Sequence, residues 1–395
     1  MRKLLRVAVD RRVSDIHLEA GERRLDVRFR IDGVLQHFNL ASLAEDLDRQ
    51  RAELLSRLKI LCGLDISERR RPQGGSFRAR LKTEGQVVSM DFRVSIVPGY
   101  YGESAVIRVL DPRRAPESID VLGLAPAVVT SLRQMMRAST GVILVTGPTG
   151  SGKTTTLFGM LNTIYRPEIK ILTAEDPIEY VCDRFSQHEV NDRIGNTFAS
   201  YVRAFLRHDP EVIMIGEIRD SETAELAMRA AQTGHLVLST LHTNDALGAV
   251  PRLQDLGVDT NICTNVLLGV LAKRLVREIC WNCKEEYQPD GAVLGELFDA
   301  PPPLRWFHGA GCQVCNHTGY RGRMALVELW RPSDDDVRLI NKGASFQEVR
   351  ASAERSTLSM AADALSRLKE ARTTVEELVR VLPQSTLRQI GAMLR

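Results

Sequence analysis

No apolar run in this 395-residue chain approaches the ~18–20 residues that span a bilayer; Asn265 to Ala272 is among the longest and falls far short. A helical membrane span is thereby excluded, and any membrane role must come through a partner. The opening stretch, Met1 to Asp10, is charged and lacks the apolar core and cleavage site of a signal peptide. The cytoplasm is the expected compartment. Aromatic residues make up only 5% of the chain and no basic run is dense, which argues against a stacking platform for single-stranded nucleic acid. Charge is nearly balanced, with 53 basic and 50 acidic residues and a net +3, so it neither demands nor excludes a polyanionic partner. Low-complexity tracts and internal repeats are both missing. With 44% hydrophobic and 26% charged residues, the chain has the composition of a soluble globular protein. Its length predicts two or three domains.

Cysteine is sparse but patterned. Of seven, Cys62, Cys182 and Cys263 stand alone, while Cys280-Trp-Asn-Cys283 and Cys312-Gln-Val-Cys315 form two knuckles. In a reducing compartment such pairs are metal sites before they are disulfides. Two knuckles complete a tetrahedral Zn²⁺ site of four thiolates. Their separation exceeds that of a minimal zinc ribbon, so a lobe from Asp290 to Phe307 must loop out. The competing reading is two unrelated thiol pairs with redox chemistry.

Residues 1–112 read as an α+β domain. Leu25 to Arg30 and Val88 to Arg93 alternate with a period of two, as half-buried strands do. Asp32-Gly33 is a hairpin turn signal, and Ala44 to Leu64 has helical spacing. A Pro- and Arg-rich linker, Asp111 to Pro116, follows. From 113 to 275, short apolar strands (141–146, 169–174, 212–216, 236–240) alternate with helical stretches, as in a sheet covered on both faces. The cysteine module spans 276–320. The segment 321–395 is expected to be a helical subdomain, helical in pattern from Asp334 to Leu382 with a polar tail after Pro383.

The chemistry begins at Gly147-Pro148-Thr149-Gly150-Ser151-Gly152-Lys153-Thr154, a phosphate loop. An apolar strand delivers the chain to it and a helix starting near Thr155 follows. Backbone amides there wrap a triphosphate at a helix N-terminus. Lys153 is expected to reach the β- and γ-phosphates and the Thr154 hydroxyl to hold Mg²⁺; Thr155 belongs to the same nucleotide-binding set. An empty glycine-rich turn is the competing reading, disfavoured because Lys and Thr are both in register.

Such a loop alone fits many nucleotide enzymes. Val212 to Gly216 runs apolar into Glu217, placing an acid at a strand end where ligands gather. Glu175-Asp176-Pro177-Ile178-Glu179 is a second acidic strand end. Three carboxylates there repel unless a metal or donors compensate, and hydrolysis needs an acceptor near the attacking water. Glu175 or Glu217 fills that role, with the other serving the metal; Glu179 completes the set. His235 and His242 flank the next strand, and either ring could donate to the γ-phosphate.

At this point the chain resembles a family. Glu-Asp-Pro-Ile-Glu, Gly-Glu-Ile-Arg-Asp and Thr-Gly-His-Leu-Val-Leu-Ser-Thr-Leu-His-Thr-Asn-Asp-Ala are similar to motifs of the secretion ATPases of type II secretion and type IV pilus assembly. Val13 to Glu19 and Arg28 to Leu35 resemble the start of that family's second N-terminal domain. Arg69 to Gly75 resembles its next motif, although Gly74 stands where Asp is usual. Cys315 to Arg323 resembles the assembly branch, since retraction motors lack the zinc module. The resemblance implies that Arg93 and Arg108 reach a neighbouring subunit's nucleotide, where guanidinium groups stabilise charge on the γ-phosphoryl oxygens. It implies an α/β fold: a RecA-like P-loop core, an N-terminal α+β domain and a zinc-binding, mostly helical C-terminal lobe. It further implies a homohexameric Mg²⁺-dependent ATPase, peripheral to the inner membrane through platform proteins, with no direct nucleic acid. Relatives carry a further N-terminal docking domain, and this chain is expected to begin at or just before the second domain. Type II secretion and pilus assembly share these motifs. The rivals are a DNA-translocating RecA-like ATPase, which nucleic-acid stimulation would reveal, and a catalytically silent zinc scaffold, which predicts a damaged loop.

Overall fold

The structure is a computed structural model that describes residues 1–37, 47–83, 85–298 and 304–393. It divides into two units, Met1–Arg114 and Ala115–Arg395.

The first unit is an antiparallel six-stranded sheet of order β3-β2-β1-β6-β5-β4, with β1 Asp15–Ala20, β2 Leu25–Ile31, β3 Val34–His37, β4 Gln73–Thr83, β5 Gln86–Gly99 and β6 Gly102–Leu110. The β2–β3 turn forms where the sequence predicts it. Asp32 and Gly33 have φ of 49° and 84°, the left-handed pair that a two-residue hairpin requires. β2 buries alternate residues, Leu25, Val27, Phe29 and Ile31, as its period of two demands. The helices Arg2–Asp10 and Arg51–Leu61 close the core. Part of the helix expected from Ala44, residues 44–46, lies outside the described residues.

The second unit holds an eight-stranded sheet of order β16-β15-β12-β7-β11-β10-β8-β9. Its strands are β7 Gly141–Thr146, β8 Ile171–Glu175, β9 Ser186–Glu189, β10 Val212–Ile215, β11 Leu236–Leu241, β12 Leu267–Ile279, β15 Tyr320–Trp330 and β16 Thr357–Leu358. Every residue of β7, β8, β10 and β11 is buried. Their continuous apolar runs follow from helices covering both faces. These strands are mutually parallel, so their C-terminal ends share one edge of the sheet. The core order β12-β7-β11-β10-β8 is RecA-like.

Three expectations change. The sheet does not stop at 275: β12 runs to Ile279 and pairs antiparallel with β15, so the sequence boundaries at 275 and 320 fall inside paired strands. The C-terminal part is therefore joined to the core sheet by β15 and β16, with helices Asp334–Asn341, Phe346–Ala353, Met360–Lys369 and Val375–Val381 packed outside. The tail after Pro383 is a helix, Gln384–Ala392, because Leu387 and Ile390, three apart, share one face and are fully buried. Within the cysteine module, β13 Lys284–Tyr287 pairs with β14 Trp306–Gly309, and a short helix spans Gly291–Leu297. Residues 299–303 of the expected lobe lie outside the described residues.

Candidate active site

The phosphate loop leaves β7 at Thr146 and enters the helix Lys153–Ile164. It lies so close on β12 that a Cβ on Gly147 (φ 144°) would sit 2.4 Å from the Lys273 carbonyl; only glycine fits there. The first amides of the helix have no carbonyl four residues back, and they open onto the loop. Lys153 Nζ donates to the carbonyls of Gly147 (2.9 Å) and Pro148 (3.3 Å). Burial pulls its pKa down, while Glu217 and Glu179 push it back up. Thr155 Oγ1 lies 3.2 Å from the Tyr180 hydroxyl.

Two acids end neighbouring strands beside this loop. Glu175 closes β8, and Gly216, which donates to the Ala174 carbonyl (2.8 Å), sets Glu217 one strand over. Their surroundings differ. Glu175 is 2% exposed, and its Oε1 accepts from Thr173 Oγ1 (2.7 Å) and Gln187 Nε2 (2.9 Å). Burial pushes its carboxyl pKa up, against those two hydrogen bonds that hold it down. Oε2 is buried and has no hydrogen-bond partner, as is Ser151 Oγ in the loop. Buried polar oxygens without a protein partner are uncommon, and these two are candidate positions for a ligand. Glu217 is instead ion-paired: Arg219 takes Oε1, and His242 Nε2 lies 3.3 Å from Oε2. Arg219 also reaches Asp176 at 3.2 Å, beside the cis Asp176–Pro177 peptide. His242 is aimed by its neighbour, since Thr243 N donates to Thr146 Oγ1 (2.8 Å) at the end of β7.

The loop, Glu175, Glu179, Glu217 and His242 thus gather at one sheet edge. His235 does not join them. It precedes β11 at the opposite end of the sheet, seven residues before His242 and so roughly 23 Å away at ~3.3 Å per residue. There its Nδ1 lies 2.9 Å from the Ala230 carbonyl and its backbone carbonyl binds Gly141 N. A histidine before a parallel strand and one after it face opposite rims, a distinction that sequence proximity hides. Sequence reasoning also missed Gln187, which arrives on edge strand β9, and the buried pair Lys273 and Arg274 under the loop. Arg274 carried a usable signal, a cation inside an apolar strand; Gln187 carried none.

Arg93 and Arg108 belong to the first unit, directly opposite each other on β5 and β6. Like charges in register repel; Arg108 Nε is held by Asp15 Oδ1 at 3.1 Å.

The four paired cysteines converge, with all Sγ atoms within 4.8 Å of one another. Cys280–Cys312, Cys283–Cys315 and Cys312–Cys315 sulfurs are 3.9, 3.8 and 3.8 Å apart. A tetrahedron with ~2.3 Å Zn–S bonds has edges of about 3.8 Å, so the cluster is compatible with zinc. Amides of Gly311, Cys312 and Gly319 and the Asn282 side chain point at the sulfurs from 3.2–3.3 Å, the donors that thiolates need.

Residues 1–380 match the family described as Type II/IV secretion system protein. The chain is 43% identical over 385 residues to the Vibrio cholerae Type II secretion system ATPase E, covering 97% of this chain and 74% of that protein. It is 45% identical to the Pseudomonas aeruginosa Type II secretion system protein E, over 96% and 74% of the two chains. Among solved structures, the pilus retraction motor PilT with bound ADP superposes with a TM-score of 0.63 at 28% identity, over 96% of each chain. The Legionella pneumophila ATPase DotB shares the fold, with a TM-score of 0.67 at 20% identity over 96% of this chain and 94% of that one. On motif, fold and sequence together, this chain is a member of the Type II/IV secretion system protein family.

Proposed function

We infer that this chain is an ATP-hydrolysing motor that powers type II protein secretion. The observation that carries the reading is the meeting of an intact phosphate loop with Glu175, Glu217 and His242 at one edge of a RecA-like sheet. Identity of 43–45% to type II secretion proteins supports the cargo class. Pilus assembly is the second reading, because it shares the motifs that this chain carries.

In this reading Gly147 to Thr154 hold the triphosphate, and Lys153 leaves its loop carbonyls for the β- and γ-phosphates. Thr154 and one of the two acids hold Mg²⁺, which when bound neutralises charge on the phosphates. Glu175, buried and with one unpaired oxygen, is suited to take a proton from water; Glu217, tied to Arg219 and His242, is suited to the metal side. The opposed Arg93 and Arg108 supply two cationic groups for a neighbouring subunit's nucleotide in a homohexamer, Arg108 by giving up Asp15. Cys280, Cys283, Cys312 and Cys315 hold a structural Zn²⁺. Among the described residues no helix is long and apolar enough to cross a membrane; the motor works from the cytoplasmic side, through inner-membrane platform proteins. The test is Lys153→Ala, assayed at a protein concentration high enough to assemble rings. ATP hydrolysis is expected to vanish, and near-normal turnover would refute the assignment of this loop.

A further inference from the structure

Lys273 sits within β12 with only 3% of its surface exposed. Its ammonium donates to the Gly152 carbonyl (3.2 Å) and to Thr156 Oγ1 (2.8 Å). The first acceptor closes the phosphate loop and the second lies in the opening turn of the helix that follows. Among the described residues no carboxylate stands within ion-pair distance of it. Burial pushes its pKa down to about 8, and Arg323 of β15 adds to the push. Arg274, the next residue, is 4% exposed and spends its guanidinium on the carbonyls of Lys273 (3.1 Å) and Asn244 (2.9 Å). Lys153 stands across the loop, also pulled down by burial. Three cations therefore crowd one glycine loop.

A buried ammonium without an anion is a costly way to hold two neutral oxygens. A neutral donor of the same length would serve the Gly152 carbonyl without that desolvation. Lys153 has Glu217 and Glu179 near it and Arg274 has Glu328 and Asp245; the negative charge that Lys273 alone lacks is what a nucleoside triphosphate brings. We propose that Lys273 is a second cation of the nucleotide site, a positioning residue that fixes Gly152 and Thr156 from beneath while its charge is balanced by the bound phosphates. Gly152 is the residue at which this matters most. Its φ of 78° turns the chain into the helix, and a Cβ there would lie 3.1 Å from Lys273 Nζ. Its position aims Lys153 and Thr154, which follow it directly. The proposal rests on the reading of this loop as an ATP site.

Two variants of the full chain test it. Lys273→Gln keeps a donor and removes the charge; Lys273→Met removes both. ATP and ADP affinities are measured by displacement of a fluorescent nucleotide, and thermal unfolding is followed without nucleotide. Lys273→Gln is expected to weaken ATP binding about tenfold, a step of ~1.4 kcal/mol, and ADP binding by less, because ADP carries fewer phosphate charges. Without nucleotide it is expected to unfold at the same temperature as the parent or higher, since a buried charge has gone. A plain structural peg gives the opposite sign in the unfolding experiment. ATP affinity within twofold of the parent overturns the proposal. So does a weaker affinity accompanied by a lower unfolding temperature, or failure of both variants to fold. The underlying site reading fails by a different result: a Lys153→Ala chain that still binds ATP as the parent does.

Discussion

Replacing Gln187 with Leu separates the roles of the two acids. The Gln187 amide donates to Glu175 Oε1 and to the Tyr180 carbonyl, both at 2.9 Å, and accepts from Cys182 N at 2.7 Å. Leucine keeps the bulk and removes all three bonds. Losing a hydrogen bond to a charged group costs about 1.5–3 kcal/mol, which at 1.36 kcal/mol per unit is roughly one to two pKa units. The sign follows from which form loses the donor. Ionised Glu175 is the destabilised form, so a carboxyl pKa already raised by burial rises further. A proton acceptor works only when ionised, so the acid limb of the kcat/KM profile should move to higher pH by about one to two units. Nucleotide affinity should change little, because the phosphate loop is untouched. The assay is steady-state hydrolysis between pH 5 and 9, at about saturating Mg²⁺, with affinity measured separately at each end. An acid limb that stays in place with kcat unchanged would refute both the role of Gln187 and the choice of Glu175 over Glu217 as the base.

Two further outcomes are expected. Cys312→Ser should release zinc and loosen residues 280–319 to proteolysis while the sheet below stays folded, because a closed four-thiolate site supplies folding free energy to its own lobe; metal analysis of the parent that finds well under about one zinc per chain would defeat this. Arg93→Ala and Arg108→Ala should each still bind ATP yet hydrolyse it about 10³-fold more slowly or worse. Mixing Arg108→Ala with Lys153→Ala should restore activity once mixed rings are shown to form, and normal hydrolysis by Arg108→Ala alone would sink the shared site.

What the sequence reveals of this fold divides along physical lines. β7, β8, β10 and β11 are legible because helices cover both their faces, leaving unbroken apolar runs with turn residues at each end. The loop and the cysteine knuckles are legible because their chemistry needs fixed spacings within a few residues. β12 is not: Leu267 to Ile279 mixes apolar residues with Lys273, Arg274 and Arg277, and apolar periodicity alone does not separate such a run from a helix. β15 hides for a related reason, since its partner lies across a forty-residue excursion. Gln187 meets Glu175 only through the pairing of β9 with β8, a long-range event that no local pattern announces. His235 lies away from the site because closeness along the chain says nothing about which rim of a parallel sheet a residue occupies.

The β12–β15 pairing carries a consequence for how such a molecule can change over time. The two strands pair as far as Ile279 and Tyr320, with a shift in register between Arg277 and Ile279, and the next residue after Ile279 is the first of the four clustered cysteines. The described residues between Cys280 and Gly319 are therefore an insertion into what would otherwise be one long hairpin, and Leu294, Leu297, Phe298 and Trp306 tie it into the core of the second unit. Because the insertion enters and leaves at two paired residues yet packs on the helices Val375–Val381 and Gln384–Ala392, a different lobe can be grafted at these positions only if it covers the same apolar faces.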